Sequence, residues 1–522
     1  MNGLPNLPRR TPVAPTELAA DTGRGRERLA GTRVPVDGEL VRRLHDVCAE
    51  VTDDPDELAG AGRDWWPLAI RWAVQGMVPA MPAVLARPHS AGEVAAVLAA
   101  CHRSHVPVTP MAGRSGVCGS SVPVFGGVAL DLCALAGVTD LDATSLLADV
   151  LPGTFGPDLE ERLRAEGLTL GHWPQSMALS TVGGWLACRS AGQYSTRYGK
   201  IEDMVVGLEV ALADGRLLRT GGSAPRAALG PDLTQVFVGS EGTLGVITQA
   251  RLRLHPLPAA EGRRAFGFET FDTGLEACRR VLRRGATPAV LRLYDATESQ
   301  RHFDIAGHHV LVVLDEADAA LLPGVLAVVD EEAGACGGQR LDDGLVDRWL
   351  RQRNDVSALA PLYRAGIVVD TIEVAARWGA LPTIYAACVS RLSAIDGMLV
   401  ASAHQSHAYP DGACLYFTFA GRMPTAAPGH ADAAAEDAWA EAFYTEAWDT
   451  VTRTVRTAGG AISHHHGVGV NRARFMADAL GGGLEVLRSL KDALDPGGIL
   501  NPGKLGLPSP FGELPWPSPV HR

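Results

Sequence analysis

The segment that decides the fold is Gly239-Ser240-Glu241-Gly242-Thr243-Leu244-Gly245-Val246-Ile247-Thr248. Its three glycines allow tight turns and bring main-chain N–H groups close to a ligand. The following run, residues 244–254, is rich in apolar and β-branched residues, which predicts a strand. Taken alone, the segment is equally compatible with a glycine-rich hairpin that binds nothing. Two further glycine-rich segments upstream favour the interpretation as a ligand site.

The first upstream segment follows a predicted strand at residues 106–109 and reads Pro110-Met111-Ala112-Gly113-Arg114-Ser115-Gly116-Val117-Cys118-Gly119. Glycines at every third position after a strand suit a loop whose amides hold a phosphate. The segment is not G-x-G-x-x-G, and no P-loop lysine follows it. The sequence therefore argues against a nicotinamide-binding Rossmann domain and against a nucleotide hydrolase.

The second upstream segment combines hydroxyl side chains with paired glycines. It contains Pro174-Gln175-Ser176, then Ser180-Thr181-Val182-Gly183-Gly184-Trp185, then Ser190-Ala191-Gly192. This composition suits a backbone that contacts a ligand, although an ordinary structural loop remains an alternative. Around these segments, residues 81–258 alternate strand and helix patterns and include a hairpin signal at residues 205–219.

Bulk properties exclude several classes of protein. The chain has 522 residues and a formal charge of −12, which predicts two to four domains and argues against a general nucleic-acid binder. Nine cysteines occur singly without a C-x-x-C pair, so the sequence indicates neither a zinc site nor a disulfide framework, and a reducing cytoplasm is expected. No apolar run is long enough for a membrane span or a signal peptide, which predicts a soluble protein.

The remaining chain supplies the other expected elements. Residues 1–35 are rich in Pro, Arg and Thr and are expected to form a loose leader. Residues 259–425 mix strand and helix patterns, and residues 425–458 are expected to form a surface helix. Leucines at 484, 487, 490 and 494 then predict an amphipathic helix.

Several motifs together resemble a known flavoprotein family. They are the two upstream segments, the Gly239–Gly245 motif, the Y-P-D-G-A-C-L-Y-F-T-F run at 409–419, Ser463-His464-His465-His466-Gly467-Val468-Gly469, and Asn501-Pro502-Gly503-Lys504. In this order they resemble the vanillyl-alcohol oxidase / p-cresol methylhydroxylase (PCMH-type) FAD-binding superfamily. Within it, the chain resembles the alkyldihydroxyacetonephosphate synthases and bacterial FAD-linked oxidases over residues 80–505.

The resemblance implies an α+β fold, with a two-subdomain PCMH-type FAD-binding domain and an α+β substrate (cap) domain. The expected division is residues 1–80 as leader and helical segment, 81–258 as FAD domain, 259–475 as cap, and 476–522 as a C-terminal helix and tail that return to the FAD domain. FAD is expected to be non-covalent because the 110–119 loop has no histidine, and Cys118 is the one candidate there for a covalent link.

The resemblance also assigns the cofactor-binding residues. They are Pro110, Met111, Ala112, Gly113, Arg114, Ser115, Gly116, Val117, Pro174, Gln175, Ser176, Ser180, Thr181, Gly183, Gly184, Trp185, Ser190, Gly192, Glu241, Gly242, Gly245, Val246, Ile247 and Asn501. The pyrophosphate is expected at the 110–119 loop, and the other segments complete the flavin cradle.

The catalytic residues implied by the resemblance are Tyr416, His464, His465, His466 and Arg292. Tyr416 is expected to accept the substrate proton while hydride leaves for the flavin, with the histidines as its hydrogen-bonding partners. If residues 464–466 were extended, His464 and His466 would share a face and His465 would not. A buried core tyrosine and a histidine metal site or solvated turn remain alternatives. No metal is expected, because no acidic residue stands at metal-ligand spacing.

The expected activity is that of an FAD-dependent oxidoreductase acting on an alcohol, hydroxy acid or amine, such as a natural-product intermediate. The expected electron acceptor is O₂ or another oxidant, and a homodimer is compatible with the family. The first alternative is alkyldihydroxyacetonephosphate synthase activity, which exchanges acyl for alkyl groups through a covalent link to flavin N5. The family's phosphate-contacting arginine aligns near Leu359, with Arg353 and Arg364 as the nearest arginines, which weakens that alternative. A non-catalytic flavin-binding protein is the second alternative.

Overall fold

Three large sheets, of four, five and seven strands, form the frame of the protein. The computed structural model describes residues 10–18, 26–29, 31–222, 224, 226–355, 359–424 and 433–517. Within these residues, the two smaller sheets come from the N-terminal half of the chain and the largest sheet comes from the C-terminal half.

The first part of the chain forms a small, mainly parallel sheet with helices. Its strands are β1 (Arg26–Glu27), β2 (Glu50–Thr52), β3 (Met77–Val78), β4 (Val84–Arg87), β5 (Val108–Met111) and β6 (Val128–Asp131). Its helices are α1 (Gly38–Val47), α2 (Pro55–Ala61), α3 (Pro67–Val74) and α4 (Ala91–Ser104). The sheet order is β2-β4-β6-β5, with β4, β6 and β5 parallel, while β1 pairs separately with β3. Helix α4 connects β4 to β5 and starts at Ser90, whose hydroxyl accepts a 3.2 Å hydrogen bond from the amide of Glu93.

The second sheet is antiparallel and has the order β11-β10-β12-β8-β7. The strands of this region are β7 (Val138–Asp142), β8 (Leu147–Val150), β9 (Leu168–Thr169), β10 (Val205–Ala211), β11 (Leu217–Gly221), β12 (Val246–Arg253) and β13 (His255–Pro256). Its helices are α5 (Gly156–Arg164), α6 (Val182–Cys188), α7 (Ser195–Tyr198), α8 (Ile201–Met204) and α9 (Thr234–Phe237). Strands β10 and β11 form the hairpin that the sequence predicts, and β12 directly follows the Gly239–Gly245 segment.

The third sheet is antiparallel and has the order β17-β14-β16-β15-β19-β20-β18. Its strands are β14 (Ala260–Phe268), β15 (Val290–Tyr294), β16 (His309–Ala317), β17 (Gln339–Arg340), β18 (Val368–Arg377), β19 (Met398–Ala408) and β20 (Gly412–Gly421). The helices of this part are α10 (Phe271–Arg283), α11 (Ala296–Phe303), α12 (Leu322–Ala335), α13 (Gly344–Gln352), α14 (Leu359–Arg364), α15 (Leu381–Ser393) and α16 (Ala433–Thr457). Strands β18 and β20 pair directly, which brings Glu373 opposite Tyr416.

The C-terminal segment returns to the first sheet. It contains α17 (Met476–Leu480) and α18 (Gly483–Leu494), and α18 is followed by Asp495-Pro496-Gly497-Gly498. Beyond α18, the amide of Val108 donates to the carbonyl of Ile499 and the amide of Asn501 donates to that of Val108, both at 2.8 Å. The chain therefore ends beside the strand that leads into the 110–119 loop.

Two expectations about single segments are wrong. Residues 10–18 are not loose, because the Arg10 guanidinium contacts the Asp158 carboxylate at 2.7 Å and the Arg63 guanidinium donates to the Thr16 carbonyl at 2.7 Å. Helix α16 is not confined to the surface, because Tyr444 and Trp448 on one of its faces are buried. Residues 1–9, 19–25, 30 and 425–432 of the two predicted segments lie outside the described residues.

The length and hydropathy of the helices bear on whether the chain could cross a membrane. Among the described helices, none has both the length and the apolar character needed to cross a bilayer.

Candidate active site

A cavity of about 410 Å³ lies between loops of the two smaller sheets and the seven-stranded sheet. The loops contribute residues from the segments 110–121, 174–193 and 240–247. The seven-stranded sheet contributes side chains of β15, β18 and β20, among them Arg292, Thr371 and Tyr416. The cavity therefore joins the predicted cofactor segments to the predicted catalytic residues.

The loop after β5 presents main-chain amides to this cavity. Residues 110–117 all line it, and no described group accepts a hydrogen bond from the amides of residues 114–117. Arg114 has a φ of 52°, a left-handed conformation of the kind found in anion-binding backbone turns. Gly113 has a different role, because a Cβ there would lie 2.3 Å from the carbonyl oxygen of Leu179. This glycine allows two cavity loops to touch.

The second loop brings helix α6 to the cavity wall. Thr181 begins the helix, and its hydroxyl accepts from the amide of Gly184 at 3.4 Å. A Cβ at Gly184 would meet no atom nearer than the Thr181 hydroxyl at 3.5 Å, whereas one at Gly183 would lie 2.6 Å from the Cβ of Pro152. Gly184 thus leaves open space for a ligand, and Gly183 allows the helix to pack.

The Gly239–Gly245 segment is fixed mainly by Glu241. This buried residue has a φ of 51°, and its carboxylate accepts hydrogen bonds from the amides of Val468 (2.5 Å) and Gly469 (2.9 Å). Its carbonyl oxygen accepts from the side-chain amide of Asn501 at 2.6 Å. Glu241 therefore connects the Gly239–Gly245 loop, the histidine segment (residues 463–469) and the C-terminal return.

The sequence-predicted cofactor residues are placed as follows. Those that line the cavity are Pro110, Met111, Ala112, Gly113, Arg114, Ser115, Gly116, Val117, Pro174, Gln175, Ser176, Ser180, Thr181, Gly183, Gly184, Trp185, Ser190, Glu241, Gly242, Gly245, Val246 and Ile247. Gly192 and Asn501 are not among the lining residues. A Cβ at Gly192 would lie 2.5 Å from the amide nitrogen of Trp173, and Asn501 bonds to the carbonyls of Ser120 and Glu241, so both support the loops from behind.

Tyr416 and the histidine segment meet on the other side of the cavity. The Tyr416 hydroxyl lies 2.6 Å from Nε2 of His465, and Nδ1 of His465 lies 2.9 Å from Nδ1 of His464. His465 and His466 both line the cavity, whereas His464 stands behind His465. The premise of an extended segment does not hold, because residues 464–466 form bends in which neighbouring rings pack edge to face.

The conformation of the histidine segment is held by a buried ion pair. The Glu373 carboxylate accepts from the amides of His464 and His466 and lies 2.7 Å from the Arg472 guanidinium. Both side chains of the pair are fully buried. Burial alone would raise the pKa of Glu373, but Arg472 and the neighbouring histidines lower it to about 2.

Arg292 completes the cap side of the cavity. Its guanidinium lies 2.6 Å from Nε2 of His404, and Nδ1 of His404 lies 2.6 Å from the buried carboxylate of Glu298. His404 also stacks on Tyr416 with ring centroids 4.8 Å apart. His404 and Glu298 are not among the residues predicted from the sequence, and no motif there distinguishes them from other polar residues.

Other lining residues were also not selected from the sequence. They are Trp65, Pro67, Ser120, Ser121, Leu132, Leu179, Ala187, Cys188, Ala191, Gln193, Ser240, Asp355, Leu359, Val369, Asp370, Thr371 and His407. Most of them adjoin a predicted segment in sequence. Trp65, Leu359 and Val369 come from elements that only the tertiary fold brings to the cavity.

One group of side chains has the composition of a metal site. The Cys414 thiol and a ring nitrogen each of His464 and His465 lie within 4.8 Å of one another, and a soft divalent ion prefers such donors. Both histidine rings already take part in the hydrogen bonds to each other and to Tyr416. The expectation of no metal stays a prediction.

Comparison with known proteins gives the family. Residues 82–221 match the model of an FAD binding domain, and residues 257–505 match that of the C-terminal domain of FAD linked oxidases. The uncharacterized FAD-linked oxidoreductase YgcU of Escherichia coli O157:H7 is 30% identical over 442 residues, covering 81% of this chain and 89% of YgcU. The chain belongs to the FAD-linked oxidases. Alkyldihydroxyacetonephosphate synthase of Dictyostelium discoideum is also 30% identical, over 82% of this chain and 74% of that protein.

Solved structures confirm the PCMH-type fold of this FAD-linked oxidase. A structure of alkyldihydroxyacetonephosphate synthase matches with a TM-score of 0.75 and 26% identity, covering 91% of this chain and 88% of that one. p-Cresol methylhydroxylase matches with a TM-score of 0.71 and 18% identity, covering 92% and 99%. The predicted family, α+β architecture and FAD cofactor are confirmed. The domain boundaries drawn from the sequence stay a prediction.

The residues present fit FAD. The unpartnered amides of residues 114–117 suit its pyrophosphate, and the open face of Gly184 leaves room for its body. Cys118 is buried and does not line the cavity, and burial raises the pKa of its thiol well above the usual value. We therefore expect acid precipitation to release FAD into the supernatant, and a yellow pellet after precipitation would contradict this.

We expect Gly184→Trp to give a folded oxidase that copurifies with little or no FAD. The indole would enter the cavity, because only the Thr181 hydroxyl stands near a Cβ at this position. Flavin absorbance per protein and far-UV circular dichroism would measure the two effects. Gly324→Trp is the matched control, since Gly324 is also helical, has no atom within 4 Å of an added Cβ, and lies outside the cavity. Full flavin content in a folded Gly184→Trp protein would contradict the cradle.

Proposed function

We propose that this FAD-linked oxidase removes a hydride and a proton from a small alcohol, hydroxy acid or amine, with Tyr416 and the histidine segment handling the proton. The observation that carries the proposal is the 2.6 Å contact between the Tyr416 hydroxyl and His465 Nε2, in a cavity shared with the flavin cradle. When bound, FAD supplies the hydride acceptor and later passes both electrons to O₂ or another oxidant.

The hydrogen bonds of the histidine segment define a path for the proton. If Tyr416 donates to Nε2 of His465, then Nδ1 of His465 carries the hydrogen and donates to Nδ1 of His464. A substrate proton accepted by the Tyr416 oxygen can then move the tyrosine proton to His465 and the His465 proton to His464. Each bond shifts one proton, and the positive charge ends on His464.

The ionisation of these groups agrees with such a path. Burial raises the pKa of Tyr416 well above its usual value, and burial lowers the pKa of His465 well below its own. Both groups therefore start neutral. Burial and Lys200 lower the pKa of His464 to about 3, while Glu373 acts in the opposite direction. His464 therefore also starts neutral, and its ring can accept the proton.

The cavity lining away from the 110–117 loop favours an uncharged or singly charged substrate. Trp65, Pro67, Leu359 and Val369 contribute apolar surface, and the cationic residues among the described lining are Arg114 and Arg292. Arg114 belongs to the flavin loop. Arg292 is the cation available to an anionic or electron-rich group of the substrate.

Alkyldihydroxyacetonephosphate synthase activity is the second candidate, and the 30% identity to the Dictyostelium synthase favours it. The residues that line the cavity argue against synthase activity, because they do not include the expected phosphate-contacting arginine. Leu359 lines the wall where the sequence placed the phosphate-contacting arginine. Of the two neighbouring arginines, Arg364 donates to the Thr16 hydroxyl, and Arg353 stacks on Trp349 and Tyr194. Neither is among the lining residues.

Anaerobic reduction of the purified holoenzyme tests the proposal. Alcohols, hydroxy acids, amines and an acyl dihydroxyacetonephosphate would be added while the flavin band is recorded. Bleaching by one of the first three classes, reversed by air or an added acceptor, is the expected result. Release of fatty acid from the acyl phosphate without lasting bleaching would identify the synthase. Silence with every compound would support a non-catalytic flavin protein. A cytoplasmic location and a homodimer remain parts of this proposal.

A further inference from the structure

A chain of three side chains runs from the interior of the cap sheet to the cavity. Glu298 is fully buried, and its carboxylate lies 2.6 Å from Nδ1 of His404. Nε2 of the same ring lies 2.6 Å from a terminal nitrogen of Arg292, which lines the cavity. The residues come from α11, β19 and β15, so only the folded cap brings them together.

The hydrogen-bonding capacity of arginine fixes the state of the central ring. A guanidinium can only donate, so Nε2 of His404 must accept and cannot carry a hydrogen. The remaining hydrogen of the neutral ring is then on Nδ1 and is donated to Glu298. Burial and the Arg292 charge lower the pKa of His404 to about 4, which agrees with a neutral ring.

Glu298 is itself held in place. The Thr418 hydroxyl donates to it at 2.7 Å and the Ser402 hydroxyl at 3.2 Å. Burial alone would raise the pKa of Glu298, but His404 and Arg301 lower it below the usual range. The carboxylate is therefore a fixed negative anchor at the inner end of the chain.

His404 also contacts the second catalytic group. Its ring stacks on the ring of Tyr416 with an interplanar angle of 16°. Arg292 additionally lies over the ring of Tyr294 at 5.3 Å, and no described group pairs with its Nε. The guanidinium is thus held on one side while part of its donor capacity remains unused.

We propose that His404 is a positioning residue, which as the neutral Nδ1–H tautomer joins Glu298 to Arg292 and fixes the guanidinium beside Tyr416. Because the Arg292 side chain is already ordered, it loses no conformational entropy when substrate binds. A charge oriented in advance therefore stabilises the transition state more effectively. This inference rests on the proposed function for its effect on turnover. The hydrogen-bonded arrangement itself does not depend on the substrate.

The first test needs no substrate. NMR spectra of holoenzyme labelled with ¹⁵N-histidine would report the state of each ring. The signals that disappear in His404→Leu belong to His404, and we expect their shifts to show a neutral ring protonated at Nδ1. With ¹⁵N-arginine, we expect hindered Arg292 side-chain signals in the parent enzyme that broaden or vanish in His404→Leu. Ser402→Ala is the matched control, because it removes another hydrogen bond to Glu298 and leaves the ring in place. A ring protonated at Nε2, a charged ring, or unchanged Arg292 signals would overturn the proposal.

The second test uses turnover of the substrate found in the anaerobic screen. His404→Leu should lower kcat/KM by about 100-fold, the scale of a misplaced catalytic group. Adding His404→Leu to Arg292→Ala should lower kcat/KM much less than His404→Leu does in the parent enzyme, because the Arg292 contact is already absent and the stacking on Tyr416 is what remains to be lost. Full additivity would overturn the proposal. If the parent enzyme oxidises nothing, the proposed function fails, and the tautomer and Arg292 signals still decide the role of His404.

Discussion

Tyr416→Phe should lower kcat by about 10²- to 10⁴-fold while FAD stays bound, the range lost with a general acid–base group. The substitution removes one oxygen atom, the one that lies 2.6 Å from His465 Nε2. The phenyl ring keeps the stacking on His404 and the backbone pairing with β18. The loss should therefore appear in turnover, with little change in flavin content or stability.

Single-turnover reduction of the flavin under anaerobic conditions is the measurement that isolates this step. The rate of bleaching should fall with the substitution, whereas reoxidation of chemically reduced enzyme should not. Tyr385→Phe provides a control, because Tyr385 stacks on Phe271 in the cap and does not line the cavity. An unchanged bleaching rate in Tyr416→Phe would exclude Tyr416 as the proton acceptor.

The loops that line one side of the cavity could be predicted from sequence because their determinants are local. Each cradle segment is a short run in which glycines, hydroxyl residues and a preceding strand stand together. The structure places residues 110–117 and most of the other selected positions on one cavity. Gly192 and Asn501 fall outside it because their roles depend on a neighbouring loop, the Trp173 backbone in one case and the carbonyls of Ser120 and Glu241 in the other.

The polar supports on the cap side could not be predicted, since each joins residues far apart in the chain. Glu298 and His404 are separated by 106 positions, and Glu373 and Arg472 by 99. In sequence, Glu298 lies in a mostly polar helix and Arg472 lies in an irregular segment, and neither position differs from that of an ordinary surface residue. Only the strand order β15-β19-β20-β18 and the bends of the histidine segment reveal which of them meet.

The orientation of the histidine rings also depends on a contact that the local sequence does not reveal. Strand geometry would place His464 and His466 on one face. The observed bends instead place His465 and His466 on the cavity, because Glu373 accepts the amides of residues 464 and 466 and draws the backbone inward. A carboxylate from another strand therefore sets the orientation of the rings, and the sequence of the segment alone does not.

Glu373→Gln should destabilise the protein more than any other single change considered for the cap. The substitution leaves the fully buried Arg472 guanidinium without its counter-charge, and breaking such a pair costs about 3–5 kcal/mol of unfolding free energy. It also weakens the hydrogen bonds that fix His464 and His466. Urea unfolding of the holoenzyme at pH 7, followed by flavin and tryptophan fluorescence, would measure the loss.

The stabilisation that the Glu373 carboxylate provides should depend on pH. The pKa of Glu373 is about 2 in the folded protein and 4.5 in the reference state, so the unfolded chain binds the proton more readily. The stabilisation from the carboxylate is therefore complete above pH 4.5 and is lost as the pH falls toward 2. The difference in unfolding free energy between parent and variant should be constant from pH 7 to 5 and should shrink below about pH 4.5.

Glu160→Gln is the matched control, because Glu160 is also a buried carboxylate but its pKa is shifted in the opposite direction. Burial raises the pKa of Glu160, whose main partners are the Thr169 hydroxyl and the amide of Leu170, so its ionised form does not stabilise the fold. At pH 7 the unfolding free energy of Glu160→Gln should equal or exceed that of the parent, while that of Glu373→Gln should be lower. Equal stability of the two variants, or a difference between parent and Glu373→Gln that does not change in acid, would show that Arg472 does not depend on the charge of Glu373. Because the same carboxylate holds the amides of residues 464 and 466, loss of stability should be accompanied by loss of turnover even where the variant remains folded.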